Sequence, residues 1–332
     1  MIHSAAVPSA STSCSNSHSF SVLRRRRSYF QFARRILSPV RASGSPNPPG
    51  PDGEPPKTPM NALEATIRRK QRELEITLRE LGLEALDERL ESTMQVPLNP
   101  PYRLSTLIAE SVPQGRAVLV FEVARSGPET TTTDLAELAK AYVTLGGASA
   151  LVVRTDSDAT PSGLRDLFTV QQAVPRVPVL ARDWLIHPLQ ICEIKESGAA
   201  GALGIINQVT GRGTAVMSSY SAALGLDAPV EVVNAREVEQ LAKLGVVFYA
   251  INVAVGLTIA MPGFSNRIAH GLLGELPFGA ISLVGVRSLE EAAAARRSGA
   301  DALLIKAELL QSYGKDVGAL GNALQYAVTL DD

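Results

Sequence analysis

The sequence predicts an α/β fold: a single closed (β/α)8 barrel behind an N-terminal helical extension. Three observations predict it. Eight short apolar runs alternate with eight helical patterns between residues 117 and 327, as a ring of strand–helix units requires. The runs are nearly continuous in apolar residues, as strands covered on both faces are. No Gly-rich phosphate loop follows the first run, where Gly127 stands alone. That disfavours the runner-up, a doubly wound open sheet.

The chain opens with a segment of unusual composition. Residues 1–51 carry seven Arg (24, 25, 26, 27, 34, 35 and 41) and no Asp or Glu. A Ser- and Arg-rich start without acids reads as an organelle transit peptide over 1–42, with Val40-Arg41-Ala42 as its cleavage site. A chloroplast (stromal) address is the first reading and a mitochondrial one the alternative. The net charge is −1, so removing seven arginines leaves −8. An acidic body argues against nucleic acid as a partner. Two cysteines, Cys14 and Cys192, support neither a disulfide framework nor a zinc-thiolate site. No apolar run is long enough for a membrane span.

Residues 43–59 hold many Pro and Gly and read as a flexible, disordered linker. From 60 to 92 the pattern turns helical. Leu63, Ile67, Leu74, Leu78 and Leu81 recur at helical spacing amid alternating charge, with a break suggested near Gly82. Lys70 interrupts the apolar seam, which disfavours a coiled coil. This amphipathic helix either covers one end of the barrel or offers its polar face to a protein partner. On the second reading the barrel folds without it.

The barrel is expected over 104–330. Strands are read at 117–123, 150–154, 178–181, 201–206, 228–233, 247–252, 279–283 and 302–305. Helices are read at 134–145, 161–173, 186–197, 214–224, 235–244, 264–273, 288–298 and 315–327. Asp134 and Ser288 serve as helix-start residues, and Gly146, Gly198, Gly245 and Gly299 stand where helices end.

Chemistry in such a barrel sits at the C-terminal strand ends. Those ends carry Glu122 and Arg125, Arg182 and Asp183, Asn207, Glu231, Asn252, Gly285 and Lys306. A carboxylate inside an apolar strand is costly unless paired. Glu122 is therefore either a structural ion pair or the wall of an active site. Glu122 and Glu231 are expected to hold Arg182 and Arg125. Asp183 is read as the cap of the following helix, and His187 and His270 as structural or surface residues. No nucleophile, metal cluster or Ser/His/Asp arrangement is apparent, and no cofactor is expected.

From Leu104 to Val328 the order of segments resembles the indole-3-glycerol-phosphate synthase family, a TIM-barrel family of tryptophan biosynthesis. Phe-Glu-Val-Ala-Arg-Ser-Gly-Pro at Phe121 resembles the family's Ala-Glu-Val-Lys-Arg-x-Ser-Pro. Pro-Val-Leu-Ala-Arg-Asp-Trp at Pro178 resembles Pro-Val-Leu-x-Lys-Asp-Phe, and Pro-Val-Glu-Val at Pro229 resembles Leu-Val-Glu-Val. Ala-Ile-Asn ending at Asn252 is similar to the start of Gly-Ile-Asn-Asn-Arg.

The resemblance implies a carboxy-lyase that closes an indole ring on a ribulose-phosphate chain, losing CO2 and water. It assigns a general-acid lysine and a cooperating lysine and glutamate. By position, Glu122, Arg182, Glu231 and Asn252 would be catalytic, and Arg125, Gly285 and Lys306 would bind substrate and phosphate. The departures are as marked. The strand-1 lysine is Ala124, and the strand-3 lysine is Arg182, a poor proton donor near neutral pH. The strand-7 Glu-Ser-Gly is Leu283-Val284-Gly285, and the strand-8 Gly-Glu-Ser is Lys306-Ala307-Glu308. The leading reading is a family member without synthase activity, acting as a binding, assembly or regulatory protein. The second is a working synthase or an enzyme with an altered substrate. A third is a module for a sugar-phosphate-like ligand held by Lys306, Arg182 and Arg125.

Overall fold

The structure is a computed structural model that describes residues 62–158, 160–206, 211–251, 264–314 and 316–329. The expected transit segment 1–42 and linker 43–59, and the candidates Asn207 and Asn252, lie outside the described residues.

Eight parallel strands pair in sequence order and close on themselves. They are β1 (Val118–Val123), β2 (Ala150–Arg154), β3 (Val179–Leu185), β4 (Gly201–Ile206), β5 (Val230–Val232), β6 (Phe248–Ile251), β7 (Ile281–Val286) and β8 (Ala302–Ile305). The β1–β8 pairing sets Val120 beside Leu304 and completes the ring. The predicted (β/α)8 barrel is the fold that forms. Two helices come before the barrel, α1 (Ala62–Leu81) and α2 (Leu83–Gln95), and α3 (Arg103–Ser111) leads into it. Around the strands lie α4 (Thr132–Thr144), α5 (Gly163–Ala173), α6 (Pro188–Glu196), α7 (Gly211–Ala223), α8 (Ala235–Ala242), α9 (Phe264–Gly274) and α10 (Leu289–Arg297). The short α11 (Ala307–Ser312) and α12 (Val317–Val328) close the chain.

Strand periodicity decides what faces inward. Val120, Val152, Leu180, Ala250, Leu283 and Leu304 share one buried interior cluster. Leu104 and Ile108 of α3 pack into the same cluster. Asp227 anchors that helix: its carboxylate accepts the amides of Leu104 (2.6 Å) and Ser105 (3.3 Å), two of the helix's otherwise unsatisfied first donors. Sequence periodicity did not mark α3 or α11. At nine and six residues, both are too short for an apolar stripe to stand out.

β3 runs four residues beyond its expected end because its register with β4 shifts between Arg182 and Leu185. Gly204 opposite has φ 114°, and a Cβ there would sit 1.7 Å from the Asp183 carbonyl oxygen. Only glycine permits that approach. The expected helix start at Asp134 also moves. Thr131 is the cap, and Asp134 is its reciprocal partner in a capping box.

The expected 60–92 helix is two helices, divided at Gly82 with φ 78°. It is not a free arm. Leu74, Leu78, Leu86 and Leu90 are buried, and Lys70 is only 4% exposed. α2 is tied to α6 through Arg89 with Glu193 and Glu196. Lys195 also donates to the Thr93 carbonyl. These contacts favour the reading in which the segment covers one end of the barrel. Among the described residues, no helix is long and apolar enough to cross a membrane.

Candidate functional site

The inward parity that builds the core continues one step further at the C-terminal strand ends. It brings Glu122, Arg154, Arg182, Glu231, Gly285 and Lys306 to the barrel mouth.

Glu122 is the most constrained of them. It is 1% exposed and accepts from Arg182 Nη1 at 2.5 Å and from Arg154 Nη2 at 3.2 Å. Its other oxygen accepts the Ala307 amide at 3.1 Å, which ties β1 to the start of α11. Burial works against the carboxylate. The positive charges of Arg182, Lys306 and Arg154, with the Ala307 amide, outweigh burial and hold the pKa at about 2. A carboxylate so held takes up no proton near neutrality.

Lys306 closes the other side of the mouth. It is buried, and its backbone amide donates to the Val286 carbonyl at 3.0 Å. Burial and the nearby Arg182 pull its pKa down to about 8, against Glu122, Glu231 and Glu308. Its ammonium donates no hydrogen bond to the described residues. Glu231 is also buried, and among the described residues it is bound to no arginine.

Arg125 belongs elsewhere. Its Nε and Nη2 meet both Asp166 oxygens at 2.7 and 2.6 Å, and its Nη1 donates to the Thr130 carbonyl. Thr160 donates to the same carboxylate at 3.1 Å. This clamp contradicts the expectation that Glu122 and Glu231 share Arg125 and Arg182. Arg182 goes to Glu122, Arg125 goes to Asp166, and Glu231 holds neither. Ala124 lines a small cleft with Arg125, Arg154, Thr160 and Asp166. Leu283, where the family carries a carboxylate, belongs to the apolar interior. Gly285 stands above it on β7.

A second polar cluster seats α1 on the mouth. Lys70 Nζ lies 2.7 Å from Asp183 and 3.1 Å from Asp156, while Arg69 meets Asp156 at 2.8 Å. Burial alone would lower the Lys70 pKa, but the two aspartates raise it, so the ammonium stays charged. Asp183 therefore serves α1 and does not cap α6. His187 is that cap, its Nδ1 accepting the Leu189 amide at 3.1 Å. His270 pairs with Ser298 Oγ at 3.0 Å on the surface. Among the described residues, no group of three His, Cys, Asp or Glu could hold a metal ion.

Arg154, Asp156, Asp166 and Lys70 escaped the reading of the sequence as partners in the site. Arg154 shares parity with Ala150 and Val152, a signal that was present. Lys70 falls on the apolar face of α1, itself a sign of a buried acceptor. Asp166 carries no local signal.

The comparisons agree with this architecture. The sequence model of indole-3-glycerol phosphate synthase matches residues 63–319. The synthase of Mycobacteroides abscessus is 34% identical over 211 residues, covering 61% of this chain and 75% of that protein. The Rhodococcus jostii synthase is 31% identical over 199 residues, covering 58% and 72%. Among solved structures, tryptophan synthase from M. tuberculosis in its aminoacrylate-bound form superposes with a TM-score of 0.50 at 16% identity. That match covers 68% of this chain and 99% of the other, a likeness of fold alone. The family match spans most of the chain, barrel and preceding helices together, and the chain belongs to the indole-3-glycerol phosphate synthase family.

Proposed function

We propose that this chain is a family member that has lost synthase turnover and acts as a binding or regulatory protein. Its barrel mouth would take a small anionic ligand. One observation carries the reading: Glu122 is locked by Arg182 and Arg154 and held near pKa 2. Ring closure with loss of water needs groups that give and take protons. Such transfer contributes a factor of roughly 10² to 10⁴ per group. Here an alanine and an arginine replace the two lysines, and Leu283 is part of the apolar interior. The charges that remain at the mouth favour an anion: Arg154, Arg182 and Lys306 stand against Glu122 and Glu231. We further propose plastid import, on the acid-free, Ser- and Arg-rich start.

The test is an assay of the mature protein with the family's ribulose-phosphate precursor, paired with complementation of a tryptophan auxotroph lacking the synthase. No product and no growth are expected. Turnover of about 1 s⁻¹ or more, typical of metabolic enzymes, would overturn the reading. The second reading, an enzyme with an altered substrate, is favoured by Lys306. An amine near pKa 8 beside Glu231 is a usable acid–base pair.

A further inference from the structure

The geometry points to Lys306 as a covalent capture site, whose amine condenses with the carbonyl carbon of a small anionic aldehyde or ketone held in the barrel mouth. This rests on the reading of the mouth as a binding site and names the ligand's chemistry.

Four observations carry it. Lys306 lies directly after β8, on the inward parity of Ala302 and Leu304, so its side chain enters the mouth. It is 5% exposed, yet its ammonium donates no hydrogen bond to the described residues. The carboxylate that could have neutralised it, Glu122, is taken up by Arg182 and Arg154. The charged groups acting on it are Arg182, Glu122, Glu231 and Glu308. A lysine desolvated beside another cation is the environment that frees an amine to act as a nucleophile. With its pKa at about 8, it holds on the order of 10²-fold more neutral amine near neutral pH than an ordinary lysine. Lys70, the other buried lysine at the mouth, is the contrast, because two aspartates keep it charged.

The step balances without an oxidant or reductant. The amine lone pair forms a C–N bond as the C=O π electrons move to oxygen. A proton passes from nitrogen to that oxygen, giving a carbinolamine. Water leaves and C=N forms. Glu231 is the group placed to relay the proton, because among the described residues no arginine holds it. Arg154 and Arg182 face the ligand's anionic end.

The full mature chain is incubated with glyceraldehyde 3-phosphate and cyanoborohydride near neutral pH. Hydride then fixes the imine as a secondary amine, located by peptide mass spectrometry. Lys306 is expected to be modified on the order of 10²-fold faster than Lys243 or Lys140, with Lys70 unmodified. The rate should reach half its maximum near pH 8. The Lys306→Arg variant, which keeps the charge, should lose the fast adduct from the intact mass. Labelling of Lys306 no faster than Lys243, or a fast adduct that survives in Lys306→Arg, overturns the proposal. The wild-type peptide map needs no variant to fold. Synthase turnover by the wild type would overturn the preceding reading, whereas the fate of this one is decided by the adduct alone.

Discussion

Lys70 Nζ on α1 lies 2.7 Å from Asp183, the residue that follows Arg182 on β3. The pre-barrel helix is thus bolted to the strand that supplies the mouth's central arginine. Truncating Lys70 leaves the buried Asp183 without its cation, while Asp156 keeps Arg69. Lys70→Ala should cost about 3 kcal/mol, seen as a lower urea midpoint with an unchanged slope. Adding Asp183→Asn should recover part of the loss, because the uncompensated charge goes with it. An additive double mutant would show the pair to be uncoupled.

Removal of residues 62–95 tests the extension as a whole. Leu74, Leu78, Leu86 and Leu90 leave water on docking. At roughly 1.5–3 kcal/mol for each such side chain, their loss approaches the net stability of a domain. The truncated barrel should be insoluble or lack a cooperative transition. A soluble truncation with a sharp transition would restore the view of this segment as an appendage.

Glu122 predicts a pH dependence whose sign is fixed. Its folded pKa of about 2 lies below the ordinary value of 4.5. The stabilisation is present above 4.5 and drains away as pH falls toward 2. It is on the order of 3 kcal/mol. Glu122→Gln should remove it, so wild-type and variant stabilities should converge as the solution is acidified through that window. Parallel curves would mean that Glu122 is not the group responsible.

Asp166→Asn should destabilise by roughly 2–4 kcal/mol, because it removes a nearly buried charge from a bidentate arginine pair. Faster proteolysis between Arg125 and Thr131 should accompany it, since Arg125 also holds the Thr130 carbonyl. Arg125→Lys should reproduce most of the effect, as a lysine cannot make the two-pronged contact.

Glu231→Gln should behave in the opposite way. With no arginine among the described residues relying on this carboxylate, stability should change by no more than about 1 kcal/mol. The Lys306 amine should become more acidic, because Glu231 is one of the groups that raise its pKa. The pH midpoint of Lys306 labelling would then fall. A large stability loss would show that Glu231 holds a cation after all.

The barrel was legible in the sequence because strand burial is a local property. Each of the eight runs announces itself within four to seven residues, and parity then places Glu122, Arg182, Glu231 and Lys306 on the inner face. The partners were not legible, because partner choice is settled between segments far apart in the chain. Arg154 competes with Arg125 for one carboxylate, and the outcome depends on Asp166 standing 41 residues beyond Arg125. Lys70 looked like a flaw in an apolar stripe until the loop after β2 and the end of β3 supplied two aspartates. β3 itself looked short, because its outer half carries Arg182, Asp183 and Trp184, residues that periodicity assigns to a loop.

The seat of α1 also has a consequence for biosynthesis. Arg69 finds Asp156 across 87 residues of chain. A ribosome adding about 5–20 residues per second takes roughly 4–17 s to deliver the second partner after the first. Through that interval α1 lacks the ion-pair partner that seats it on the barrel. The nascent helix is then a ready client for a chaperone, and any pause in translation before Asp156 prolongs its exposure.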